Sequence, residues 1–273
     1  MKGFENHGNT CYFNSAIQCL MTTPYLTDLF LKWDYPGESE IVKEYQRLTR
    51  VYWDGEDSSV DIKHLLKEFR KKFPEFSGGQ HDCQEVIIKL FEIFEKEIPE
   101  DFIKKIFYGN TVQETVYPDG KSTTRSEYTT LMLQASEDTD IVSLLKSYSS
   151  WNVLSDYEDA TGKVHNCATV RNMVTSVPPV FILCISMFPS KVRVSVPERV
   201  QISGVDFETF ATCTHQGGLN GGHYVSFTRL DKDWYVQNDT LVQKIEKFPT
   251  NEYHYVIMLK RKVHETHKPE CPP

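Results

Sequence analysis

A cysteine stands where a polar loop turns into a helix. Residues 3–20 read GFENHGNTCYFNSAIQCL. After Cys11, the apolar residues Phe13, Ala16, Ile17 and Leu20 recur at helical spacing and predict one buried face. Asn9 and Thr10 precede the run, where a helix cap belongs. Cys11 is therefore expected at a helix N-terminus. The unpaired N–H groups and the macrodipole there favour an anion, and a thiolate is one. The chemistry open to such a thiolate is attack on a carbonyl carbon. A free cysteine is otherwise a small buried hydrophobe, so the assignment needs a base from elsewhere in the chain.

Nine histidines are available. His223 stands out by its setting, GGHYVSF over 221–227, where two glycines end a loop and a strand begins. A thiol in contact with an imidazole forms an ion pair whose thiolate is nucleophilic. His215 lies eight residues earlier, at the end of the preceding strand, and spacing alone leaves both open as the base. The base needs an orienting partner on its other ring nitrogen. WYVQND, residues 234–239, offers Asn238 and Asp239 on a strand expected to pair with that of His223. In an extended chain the two point to opposite faces, so only one can serve. An oxyanion needs donors near Cys11. The N–H groups of the helix start are the default, and Asn6 carries an NH₂ that a loop can fold over the same point.

The 273 residues can bury a full core. No apolar run approaches bilayer-spanning length, and MKGFENHGN lacks the apolar core of a signal peptide. An intracellular setting, cytoplasm or nucleus, with reduced cysteines is expected. The seven cysteines are odd in number and include no C-x-x-C pair, which argues against a disulfide framework and against a four-cysteine zinc site. A net charge of −8 disfavours nucleic acid as the main partner and suits a basic partner segment.

The elements that must position these groups change character along the chain. The first hundred residues read as helical: the Cys11 helix, a short helix over 25–31 after Pro24, then helices over 40–53 and 62–73. The acidic loop 54–57 separates the last two. Pro74 and the turn 77–79 end the fourth. Asp82-x-x-Glu85 forms a capping box before Val86, Ile87, Leu90, Phe91 and Phe94. From about residue 110, Thr, Val, Tyr and Phe dominate. A hairpin turn is expected over 117–121, a short helix over 140–148, and strands over 180–187, 205–214, 223–230, 234–237 and 253–260. Residues 264–273 read as a mobile tail. A helical half packed on a mostly antiparallel sheet places a cleft between them.

The three stretches together resemble the ubiquitin-specific protease family of papain-like cysteine deubiquitinases. Residues 3–20 resemble its cysteine box, G-L-x-N-x-G-N-T-C-Y-x-N-S-x-x-Q-x-L, with Phe4 where Leu is usual. GQHDCQE, residues 79–85, resembles its Gln-Gln-Asp-type box. Residues 215–227 resemble the histidine box H-x-G-x-x-x-G-H-Y. Residues 234–239 resemble its closing W-Y-x-F-[DN]-D, with Gln237 where an aromatic is usual. VPPVFIL, residues 177–183, is similar to its L-P-P-V-L strand. Order and spacing agree from residue 3 to about 262.

The resemblance implies an α+β papain-like fold of this type. A single catalytic domain would span 1–263, with a helical thumb (about 1–108), reduced β fingers (about 109–175) and an antiparallel β palm (about 176–263), ahead of the tail 264–273. It implies Cys11 as nucleophile, His223 as general base, Asn238 as third member and Asn6 as oxyanion donor, with Asp239 a second polar contributor and His215 structural. Gln80 and Asp82 fall where the family contacts the C-terminal tail of ubiquitin, Leu-Arg-Leu-Arg-Gly-Gly, and Tyr224 lies beside it. Asp82 suits a tail arginine, and Gly221 and Gly222 suit the wall of a channel too narrow for side chains. The implied activity is hydrolysis of the peptide or isopeptide bond after ubiquitin's Gly-Gly. The alternatives are an inactive ubiquitin-binding module and a protease for another ubiquitin-like modifier. The implied partners are ubiquitin and its conjugates, with no nucleic acid, no membrane and a monomeric state.

The chain departs from the family in one region. Many relatives bind a structural zinc through two C-x-x-C pairs in the fingers. Here the corresponding region, about 110–175, holds Cys167 alone. With His165 this makes too few ligands. No zinc and no other cofactor is expected, and the start at Met1 suggests a bare catalytic core.

Overall fold

The computed structural model describes residues 1–54, 59–187, 191–218 and 221–262. The helical half contains α1 (Cys11–Met21), α2 (Pro24–Lys32), α3 (Glu40–Asp54), α4 (Lys63–Lys72), α5 (Cys83–Glu97) and α6 (Phe102–Phe107). The ends follow from local chemistry. Pro24 opens α2, where its missing N–H costs nothing. Pro74 begins a 3₁₀ turn directly after α4. Asp82 caps α5 by accepting from Gln84 N–H at 2.7 Å. The capping residue and the helix that follow from Asp82-x-x-Glu85 are both present.

α1 departs from the expected pattern. All eleven of its residues are buried, not one face alone. It packs on α2 and α5 on one side and on strands of the sheet half on the other. Its buried amide Gln18 is matched on both ends. Gln18 Nε2 donates to Lys2 O at 2.8 Å, and Tyr52 Oη donates to Gln18 Oε1 at 2.7 Å. Unmatched, a buried amide of this kind would cost about 1–3 kcal/mol.

The main sheet runs in the order 241–245, 233–238, 221–230, 205–218, 254–261, 180–186, 130–134, with 199–202 paired to 205–218. It is antiparallel except where 130–134 joins 180–186 in parallel. The strand expected over 205–214 continues to Gly218, so Gln216 and Gly217 belong to the sheet rather than to a loop. Its partner begins at Gly221. Leu219 and Asn220, part of the acidic loop 54–57, and the tail lie outside the described residues. Three buried thiols seam the two halves together. Cys213 on strand 205–218 lies 3.4 Å from Cys19 of α1, sulfur to sulfur, and also bonds Cys83 of α5.

A four-stranded sheet of 120–128, 109–117, 168–176 and 152–154 forms a third unit, next to α7 (Ile141–Tyr148). The expected turn near 118–119 joins its first two strands. Asp140 caps α7 at Val142 N–H and Ser143 N–H. At one end of this sheet His165 is 5% exposed and bonds Asp159 at 2.8 Å. Tyr117 lies over the same ring at 4.6 Å between centroids. The imidazole and Thr161 hold the Asp159 carboxyl well below the usual carboxylate range. His165 thus ties the 157–165 hairpin to the 117–120 turn. The sequence pattern predicts no strand over 130–134, 199–202 or 241–245, nor the short helix α6 or the parallel pair of 3–4 with 59–60. The last two are too short to carry a period.

Replacing His165 with Ala should speed amide exchange across 157–165 while leaving α1 unchanged. Hydrogen exchange read by mass spectrometry checks this.

Candidate active site

The loop before α1 is wound around one side chain. Asn6 Oδ1 accepts from Gly8 N–H at 2.9 Å and from the N–H and hydroxyl of Thr10, both at 3.3 Å. Thr10 Oγ1 in turn accepts from His7 N–H at 3.0 Å. Gly8 and Asn9 both take positive φ, +86° and +52°, a conformation glycine and asparagine tolerate best. Thr10 is the helix N-cap residue, but its hydroxyl serves the loop rather than a helix N–H. The loop is tethered from outside by His7 Nε2, which bonds Asp61 Oδ1 at 2.8 Å. Glu5 stands near this pair, and one ligand atom from each of the three lies within 4.8 Å of the others.

The strand pair on the other side of the cleft carries His223 and Asn238. His223 Nε2 lies 2.7 Å from Asn238 Oδ1. That oxygen can only accept, so Nε2 carries the proton and Nδ1 is the basic nitrogen. Asn238 ends strand 233–238, and the two-residue turn 239–240 returns the chain to Leu241. Asp239 has φ +52° within that turn. The turn, not the pleat, separates the two neighbours. Asn238 serves the imidazole, while Asp239 reaches across to the helical half. Its Oδ2 accepts from Asn6 Nδ2 at 2.9 Å and its Oδ1 from Asn14 Nδ2 at 2.7 Å.

The N-terminal strand locks this joint. Phe4 N–H donates to Asp239 O at 2.9 Å. A Cβ on Gly3 would lie 2.2 Å from Thr240 O, so only glycine fits. Asn14 lies one helical turn after Cys11 and shares its face. It sits inside the motif around Cys11, but its partner could not be read from spacing.

Cys11 itself is 2% exposed. Tyr224 N–H, the residue after His223, hydrogen-bonds its sulfur. The sulfur of the helical half and the strand of the imidazole therefore meet, although more than two hundred residues separate them in sequence. Burial raises the thiol pKa. Tyr224 N–H opposes that, Asp239 adds to it, and the N–H groups of Tyr12 and Cys11 again lower it. The helix start does act in the expected direction. In the free protein desolvation outweighs it.

The remaining candidates gather around Tyr224 and Gly222. His215 is buried against the Tyr224 ring, 4.6 Å between centroids. Burial, Lys191 and His223 all lower its pKa. Asp82 is already engaged through the α5 cap and through the Tyr255 hydroxyl, and burial raises its pKa. Tyr255 belongs to no motif, so its part in the site was not legible. Gln80 bridges to the backbone of Gly222. A Cβ on Gly222 would lie 2.4 Å from His215 Nε2, whereas one on Gly221 would make only an ordinary contact, 3.9 Å from Gln80 Oε1.

A thiol on a buried helix start, an imidazole on a sheet edge and an amide behind it define a papain-like thiol hydrolase arrangement on an α+β fold. The sequence profile of the ubiquitin carboxyl-terminal hydrolase family matches residues 2–260. The chain belongs to that family. Over 101 residues it is 40% identical to human ubiquitin carboxyl-terminal hydrolase 15 and 38% identical to bovine ubiquitin carboxyl-terminal hydrolase 4. Each match covers 33% of this chain and 10% of the relative, so the shared part is a small portion of those proteins. The fold resembles a chain of the SAGA DUB module Ubp8/Sgf11/Sus1/Sgf73 bound to monoubiquitin, with TM-score 0.84 and 17% identity over 96% of this chain and 69% of that one. The same module bound to ubiquitin aldehyde gives TM-score 0.79 at 17% identity, over 96% of this chain and 70% of that one. Among the described residues no helix is long and apolar enough to cross a membrane.

Asp239→Asn removes a negative charge near the sulfur and one of the two acceptors. The Cys11 thiol pKa should fall, so the pH midpoint for iodoacetamide alkylation of the free protein moves down. A midpoint that rises or stays would contradict the electrostatic account.

Proposed function

We propose that this protein is a thiol-dependent deubiquitinase that cleaves the bond after the C-terminal Gly-Gly of ubiquitin. The observation that carries the reading is the meeting of Cys11 with the His223 strand, with Asn238 bonded to the imidazole at 2.7 Å. Cys11 Sγ attacks the carbonyl carbon of ubiquitin's terminal glycine. His223 Nδ1 takes the thiol proton and delivers it to the departing lysine amine. Water, deprotonated by the same imidazole, then hydrolyses the thioester and frees ubiquitin. Asn238 keeps Nε2 protonated and the ring in place.

Asn6 is the side-chain donor to the oxyanion. One of its N–H bonds is held by Asp239, which leaves the other to the tetrahedral intermediate. Asp239 is thus a positioning residue for Asn6 and α1 rather than a partner of His223. The tail's path runs past Gly221, Gly222, Gln80, Tyr224 and Asp82. Tyr255 fixes the Asp82 carboxylate, whose charge suits a tail arginine. The fingers need no zinc in this reading, because the His165–Asp159 pair does the joining. The protein acts inside the cell as a monomer.

A ubiquitin bearing a C-terminal electrophile should label the protein covalently, and Cys11→Ser should abolish the label. Binding without labelling would indicate an inactive ubiquitin-binding module. Labelling by another modifier's probe alone would indicate a different substrate.

Asn238→Ala should lower kcat by roughly 10- to 100-fold with KM nearly unchanged, because ring orientation is lost while the binding surface stays. Steady-state hydrolysis of a ubiquitin C-terminal amide reads both constants. An unchanged kcat would remove Asn238 from the mechanism.

A further inference from the structure

The strand that carries His223 has an open edge. Strand 221–230 pairs with 205–218 on one side along its length. On the other side, strand 233–238 pairs only with residues 226–230. Among the described residues, none ahead of Ser226 has a strand neighbour there. In an antiparallel ladder a residue directs its N–H and C=O to the same side. Both groups of Gly222 meet Gln80: Oε1 accepts from Gly222 N–H at 2.7 Å, and Nε2 donates to Gly222 O at 2.5 Å.

A primary amide offers one donor and one acceptor in the geometry of a peptide unit. Gln80 therefore does for Gly222 what a neighbouring strand would do. The backbone under it is bare for a reason already given: the His215 ring forbids a side chain at Gly222. At Gly221 the nearest atom to a Cβ would be Gln80 Oε1, at 3.9 Å. The open side thus carries the backbone groups of Gly222 and Tyr224; Tyr224 N–H bonds the Cys11 sulfur, and Gly222 is covered by one exposed, rotamer-rich side chain.

We propose that Gln80 is a displaceable placeholder. Its amide occupies the position that a peptide unit of the substrate's extended C-terminal segment takes by strand addition to Gly222. The inference rests on the deubiquitinase reading and makes Gln80 a competitor of the tail rather than a clamp on it. The exchange trades two hydrogen bonds for two, so displacement costs little. It keeps the edge from accepting other extended segments, whose side chains would meet the glycine-lined wall.

The test is steady-state hydrolysis of a ubiquitin C-terminal coumarin amide by the wild type, Gln80→Ala and Gln80→Met. Ala removes the bulk and both hydrogen bonds, and Met removes the bonds alone. Both should lower KM and raise kcat/KM about three- to tenfold, the value of one or two exposed hydrogen bonds. In the free protein the Gly222 amide should exchange faster in Gln80→Ala than in the wild type, and bound ubiquitin should restore its protection. A KM that rises or stays put in both variants, with a wild type that turns over, overturns the placeholder and leaves the deubiquitinase reading intact. A wild type that neither turns over nor labels overturns both.

Discussion

The site depends on one carboxylate that spans the cleft. Asp239 stands in a tight turn at the end of a palm strand, and its two oxygens hold Asn6 and Asn14 of the helical half. The backbone of the same residue accepts from Phe4. Three segments distant in sequence are thereby fixed to one residue: the loop before the nucleophile, the nucleophile's helix and the N-terminal strand. The arrangement has an electrostatic cost, since the same carboxylate raises the pKa of the nearby thiol. Position is gained at the expense of resting thiolate. An imidazole that can take the proton during attack makes that exchange workable.

Much of the chemistry was legible because it is written in short, continuous stretches. Cys11 at a helix start is a local pattern and stands where it implies, whereas the strand of His223 already includes its two glycines and a turn, not the pleat, parts Asn238 from Asp239. The helices from Pro24 to Glu97 were legible for the same reason, since their periods and caps are local. What was hidden depends on contacts between stretches. Asn238 and Asp239 could not be ranked by spacing, because their division of labour comes from a turn and from donors on α1. Tyr255, which fixes Asp82, lies far from every motif. The burial of α1 on all sides hides behind a pattern that looks one-faced, because Lys2 and Tyr52 meet Gln18 and Asp239 meets the Asn14 NH₂.

The fingers make the same point from the other side. Their sequence lacks the paired cysteines that many relatives use, and holds Cys167 alone. A buried histidine bonded to an aspartate, with Tyr117 over the ring, adds a polar lock of its own. This lock joins two turns, where cross-strand ladders end and hydrogen bonding would otherwise be weakest.

The sulfur seam of Cys19, Cys83 and Cys213 lies at the junction of α1, α5 and the palm, out of reach of water. Burial holds the Cys19 and Cys83 thiols well above their ordinary pKa, so they are inert while the halves stay together. A reagent can find them only when the halves come apart. Their slow modification is therefore a built-in clock for how often the molecule breathes along its own cleavage plane, ticking independently of whatever the exposed surface is doing.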